Sequence, residues 1–146
     1  MNRVYNNEAI LMGCIVHLLK NEMMDMAKLY LYTTLLVDIQ LYSFIKKSDS
    51  FNQLCTLIKN QGLISRKLDS FGPYFLNATV ILKQNKFIMI SDRNLRLGIS
   101  AFPEGNLRSR RLDRIMKISE HLLKLCSGLS TKELYHNLNI QLRIYI

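Results

Sequence analysis

The sequence predicts an α+β domain, mostly α, with a winged-helix-like centre, a β-hairpin and two closing C-terminal helices. Three observations carry that reading. Apolar residues recur at helical spacing over most of the chain, a pair of short β-type runs flanks a polar turn, and a helix stop is followed at once by a capping signature.

A first helix is expected from Glu8 to about Met23, with Asn6 or Asn7 as its cap and Glu8 facing the positive helix end. Met26 to Lys46 is apolar around its whole circumference and rich in Tyr, Thr and Val, so periodicity does not choose between helix and strand; the reading favours helix. Lys46-Lys47-Ser48-Asp49-Ser50 is a polar break. Ser50 or Asp49 then caps a helix carrying Phe51, Leu54, Leu57 and Ile58 on one face, which Gly62 ends.

A short piece around Leu63 to Leu68 follows, and Ser70-Phe71-Gly72-Pro73 reads as the start of a three-turn helix through Gln84, with proline at an allowed early position. Lys86-Phe87-Ile88-Met89-Ile90 and Leu95-Arg96-Leu97-Gly98-Ile99 flank the turn Ser91-Asp92-Arg93-Asn94, a hairpin pattern. Helix, helix, hairpin is the winged-helix order. Phe102 to Asn106 is the clearest linker. Beyond it, Leu112, Ile115, Ile118, Leu122, Leu125 and Cys126 recur at helical spacing until Gly128, and Ser130 with Glu133 forms a capping box for a last helix holding Leu134, Tyr135 and Leu138.

The bulk properties agree with a globular chain. At 146 residues, 49% apolar and 21% charged, it is long enough to bury a core without disulfides or metal. One domain, 1–146, is expected, with a helical and winged-helix-like part over 1–100 and a C-terminal helical part over 107–146. An odd count of 3 Cys suits a reducing compartment, so a cytoplasmic location is expected. The apolar stretch Ala9 to Leu19 is too short to span a bilayer, a signal peptide fits poorly with Glu8 where a basic head should be, and Asp38 and Gln40 interrupt Leu29 to Ile45. No membrane contact is expected.

The net charge of +9 favours an anionic partner without choosing between nucleic acid and an acidic protein face. The candidate binding set is Lys83, Lys86, Arg93 and Arg96 on and beside the hairpin, with Arg108, Arg110, Arg111 and Arg114 after the linker. Guanidinium groups suit phosphate or carboxylate geometry, and a hairpin tip can lie along a phosphate backbone. The competing reading is a solvated helix face that touches nothing.

Chemistry has no visible carrier. Cys14 and His17 lie one helical turn apart but no matching pair completes a zinc site, His121 and Cys126 do not share a helix face, and the 6 glycines form no phosphate-binding loop. The acids are dispersed. No cofactor, metal or catalytic residue is expected. Met23, Met24 and Met26 cluster with Tyr30 and Tyr32, and an apolar circumference from Met26 to Ile45 is hard to cover in so small a domain, so part of it is expected to meet another chain.

The order of segments resembles the middle component of bacterial three-component ABC systems, including the small accessory subunit of Lamassu-type defence systems. Asn6-Asn7-Glu8-Ala9 resembles that family's opening Asn-Pro-Ala helix with Glu8 in place of proline, and Leu29 to Val37 resembles its apolar second segment. Leu57 to Asn60, Gly72 to Ala78 and Phe87 to Ile90 resemble its helix pair closed by a hairpin. Arg111 to Leu125, Thr131 to Tyr135 and Leu138-Asn139-Ile140 resemble its closing helices and Leu-Gly-Val ending, with Asn139 in place of glycine.

The resemblance implies a non-catalytic accessory subunit that bridges an SMC-like or RecN-like ATPase to an effector such as a nuclease, in an anti-phage or anti-plasmid complex that touches DNA. Two other classes stand beside it. A free-standing winged-helix DNA-binding regulator would equally suit the charge and hairpin, and a nuclease would be revealed by metal-dependent cleavage.

Overall fold

Asp25 and Asp38 set the frame of the fold by capping two successive helices. In the computed structural model, which describes residues 3–103 and 109–141, helix α1 spans Arg3–Asn21 and leads through the two-residue strand β1, Met24–Asp25, into α2, Met26–Val37. Asn6 and Asn7 therefore lie inside α1 and do not cap it. The Asp25 carboxylate accepts the Lys28 amide at 2.8 Å and starts α2.

Helix is the outcome for the apolar segment, but as two helices. Asp38 is extended, its N–H goes back to the Thr34 carbonyl, and its carboxylate accepts the Leu41 amide at 2.9 Å, so it closes α2 and opens α3, Ile39–Lys47. Every residue from Leu29 to Leu36 is buried within this chain, because α1 and the helices Ile64–Gln84 and Arg110–Leu125 all pack on α2. Leu29 to Leu36 therefore need no other chain to cover them, whereas Ile39 in the same segment is exposed. Thr33 and Thr34 satisfy their buried hydroxyls by donating to the carbonyls of Leu29 and Tyr30 at 2.6 and 2.8 Å.

Helix α4, Phe51–Leu57, is capped by Ser50, whose hydroxyl accepts the Gln53 amide at 3.2 Å, and continues into a π-turn over Ile58–Gly62. Gly62 is the last residue of that run, as expected. The left-handed residue is Leu63, at φ 48°, after which α5 runs unbroken over Ile64–Gln84. The expected short piece and three-turn helix are thus one helix with Pro73 inside it, so Pro73 is no helix start. Tertiary packing outweighs the lost amide there. Tyr30 lies against Phe71 and Phe75 with ring centroids 6.4 and 5.0 Å apart, and its hydroxyl donates to the Leu68 carbonyl. A Cβ on Gly72 would stand 3.1 Å from that hydroxyl oxygen, so glycine admits the ring against the helix.

Helix α5 ends in a Schellman motif. Phe87 N–H reaches the Leu82 carbonyl and Lys86 N–H the Lys83 carbonyl, each at 3.0 Å, with Lys86 left-handed at φ 63°. Strands β2, Ile88–Ser91, and β3, Asn94–Leu97, follow. Asp92 and Arg93 form the two-residue turn between them, both at positive φ (49° and 71°), as a primed hairpin turn requires. The antiparallel sheet has the order β1-β3-β2, with Met24 opposite Leu95 and Asp25 opposite Asn94. The short strand β1 joins the hairpin to the region before α2, an attachment a dipeptide does not announce. Helix, strand, helices and hairpin make the winged-helix-like centre, mostly α.

Two closing helices complete it. Helix α6, Arg110–Leu125, is capped by Ser109 and packs on α1, α2 and α3. Gly128 turns the chain at φ 80°. Helix α7, Thr131–Asn137, begins as expected with the Ser130 hydroxyl accepting the Glu133 amide at 3.1 Å. It ends in a second Schellman motif through Asn139 at φ 55°, a conformation in which asparagine substitutes for glycine. One hydrophobic cluster joins Leu18, Leu35, Leu54, Phe75, Leu95, Leu122 and Leu134.

Candidate interaction surfaces

Among the described residues, the hairpin and the start of α6, which carry most of the basic residues singled out in the sequence, attach at opposite ends of α2. Asn94 pairs with Asp25 at the start of α2, whereas Arg111 binds the Val37 carbonyl at its end. The 12 residues of α2 put about 18 Å between those points. Lys83, Lys86, Arg93 and Arg96 are exposed along the end of α5 and the hairpin. Arg110 and Arg114 are exposed at the start of α6, and Arg108 lies outside the described residues.

Arg111 is half-buried, and its guanidinium donates to the Val37 carbonyl at 2.7 Å. The group thus ties α6 to the α2–α3 joint. The exposed residues of α6 interleave Arg110, Arg114, Lys117 and Lys124 with Asp113 and Glu120 at helical spacing. That is the make-up of an ordinary solvated helix face.

The hairpin cations have different company. On the solvent face of the sheet Met89 stands opposite Arg96, and both are exposed, as are Ile90, Leu97 and Ile99. On α5, Phe75, Ala78 and Leu82 line the buried side, and Leu76 and Val80, one turn apart, form a second apolar stripe that is 56% and 50% exposed. Lys83 continues this stripe three residues beyond Val80. Among the described residues no ion pair engages Lys83, Lys86, Arg93 or Arg96. Leu76 and Val80 are not singled out in the sequence, where this helix is read by its start and end and not by its faces. The available signal was their i, i+4 spacing about 100° round from Phe75.

A cleft of about 510 Å³ opens beside the α2–α3 joint, between Val37, Ile39, Lys67, Tyr74 and Arg111. Of its charged lining residues, Lys67 meets the Asp38 carboxylate at 2.9 Å and Arg111 the Val37 carbonyl, and Glu8 lines it as well. Ile39 at 78% exposure is the one strongly exposed apolar residue of the segment expected to dock a partner. Met24, Tyr30 and Tyr32 are core, and of the methionine cluster only Met23 stands well out.

Cys14, Cys55 and Cys126 are all buried free thiols. Burial pushes Cys14 and Cys126 up to about 12 and raises Cys55 as well, which suppresses the thiolate that nucleophilic or metal chemistry needs. His121 Nε2 lies 2.7 Å from the Ser48 carbonyl; as a donor there it fastens α6 to the α3–α4 turn. Among the described residues no three His, Cys, Asp or Glu side chains converge as a metal-binding group, and no helix is long and apolar enough to cross a membrane. No protein-family model, curated protein or solved structure matches the chain.

Proposed function

We propose that this chain is a non-catalytic, protein-binding accessory subunit of a larger bacterial complex, serving as the bridge between an SMC-like or RecN-like ATPase and an effector that its segment order implies. The observation that carries the reading is the exposed apolar surface on the helix and hairpin of the winged-helix-like centre, at Leu76, Val80, Met89, Ile90 and Ile99. Fully burying a large apolar side chain is worth roughly 1.5–3 kcal/mol, so five half-exposed ones supply on the order of 5 kcal/mol on docking. Association costs are of similar size or larger, and further contacts must supply the affinity.

The DNA-binding alternative draws on Arg93 at the hairpin turn and Arg96 beside it. Against it, the first turns of α5 are engaged by the chain's own C-terminal segment, where the Gln141 amide donates to the Ser65 hydroxyl at 2.9 Å. Apolar side chains on the outer stripe also suit a protein face better than the polar, cationic interfaces made with duplex DNA.

Co-expression with the neighbouring reading frames and affinity capture on this chain tests the proposal. A large ATPase is expected to copurify with the wild type and to be lost with the double variant Leu76→Ser, Val80→Ser. Recovery of a stable lone dimer that prefers one duplex sequence, with no ATPase, would sink it.

A further inference from the structure

We infer that the partner segment received by the α5 stripe and the hairpin is an acidic peptide carrying apolar side chains, an inference that rests on the protein-binding reading above. From Ser70 to Pro103 the chain contains a single acid, Asp92, against Lys83, Lys86, Arg93 and Arg96. All four bases are exposed. Lys83 shares a face of α5 with exposed Leu76 and Val80, Arg96 pairs with exposed Met89 across the hairpin, and Ile90 and Ile99 are also exposed, the last at 81%.

On each of the two elements a cation lies beside exposed hydrocarbon. Lys83 follows Leu76 and Val80 along one side of α5, and Arg96 is the cross-strand neighbour of Met89. An occupant must therefore bring apolar groups for the stripe and carboxylates for its rim, since unpaired cations would otherwise lose water without compensation. The contrast with α6 sharpens the assignment, because its bases alternate with Asp113 and Glu120 and have no exposed large apolar residue among them.

Two other anionic surfaces fit less well. A phosphate backbone has nothing to cover Leu76, Val80 and Met89. A lipid surface would be met by an apolar hairpin tip, whereas this tip is Ser91-Asp92-Arg93-Asn94 and the apolar residues lie back along its flanks.

The test is selection of a random displayed 12-residue peptide library on the full chain, followed by amide chemical-shift mapping with one selected peptide. Selected peptides are expected to be rich in Asp or Glu together with Leu, Ile or Phe, and to shift the amides of Leu76, Val80, Lys83, Met89 and Arg96. The variant Lys83→Glu, Arg96→Glu should weaken binding at least tenfold, and Arg110→Glu, Arg114→Glu should leave it unchanged.

Neutral or basic peptides mapping to the same residues would overturn the acidic partner and leave the protein-binding reading standing. Failure to select any peptide that Leu76→Ser, Val80→Ser abolishes, alongside loss of ATPase capture from the wild type, would remove both. Tighter sedimentation with phosphatidylserine vesicles than with any peptide, or tighter retention on duplex DNA, would likewise overturn the inference. A circular dichroism melt on each variant separates loss of binding from loss of fold.

Discussion

The Arg111 guanidinium donates a 2.7 Å hydrogen bond to the Val37 carbonyl, at the end of a helix whose last carbonyls lack intrahelical amides. One arginine of a basic run thereby becomes part of the joint between α2, α3 and α6.

Arg111→Ala is expected to destabilise the fold by about 1–3 kcal/mol, the range for losing a charged donor from a partly buried acceptor. Arg110→Ala and Arg114→Ala, which are exposed, should stay within about 0.5 kcal/mol of wild type. Urea unfolding of the three variants checks this. A charge-reversal variant that includes Arg111 therefore tests folding as well as binding.

Strain is stored at three non-glycine positions at the end of α5 and in the hairpin turn, Lys86, Asp92 and Arg93. Lys86 at φ 63° and Arg93 at φ 71° hold left-handed conformations that glycine adopts without penalty. Lys86→Gly and Arg93→Gly should each stabilise the chain by about 0.5–1 kcal/mol in thermal unfolding, while Arg93→Gly weakens binding of the acidic peptide. Gly98→Ala should do the reverse, because its Cβ would come within 2.2 Å of the Lys86 carbonyl oxygen.

Tyr30 and Gly72 are expected to be coupled. Gly72→Ala crowds the Tyr30 hydroxyl, and Tyr30→Phe removes both that hydroxyl and its bond to the Leu68 carbonyl. Each single change should cost about 1 kcal/mol or more. The double variant should be less destabilised than the sum by at least about 0.5 kcal/mol. Strict additivity in a double-mutant cycle would contradict the contact.

Alkali should unfold this protein through its buried thiols. Cys14 and Cys126 are held at about 12 against an ordinary 9.0 because desolvation disfavours the thiolate. Between about pH 9 and 12 the unfolded chain releases protons that the folded chain keeps. Stability is fully present below pH 9 and falls as pH rises through that window, by up to about 1.4 kcal/mol per unit for each thiol. Comparing urea midpoints at pH 8 and 10.5 measures the fall, and Cys14→Ala should reduce it.

Much of the element list was legible because it is written in short-range chemistry. Ser50 and Ser130 cap the helices they were expected to cap, Gly128 turns the chain, and the polar turn before Leu95 closes a hairpin. The errors have two causes, one long-range and one local. Pro73 reads as a boundary until the aromatic packing of Tyr30 on Phe71 and Phe75 carries the helix through it, and Met26 to Lys46 reads as one element until Asp38 caps in both directions.

Sequence alone determined the class of fold, because hydrophobic period, caps and turn residues act over a few positions and need no knowledge of neighbours. Which apolar residues are covered and which cations are spent was decided only by the tertiary structure. Burial of Leu29 to Leu36, exposure of Leu76 and Val80, and capture of Arg111 by Val37 each depend on residues far away in the chain. Those contacts exist only once α1, α5 and α6 have closed around α2.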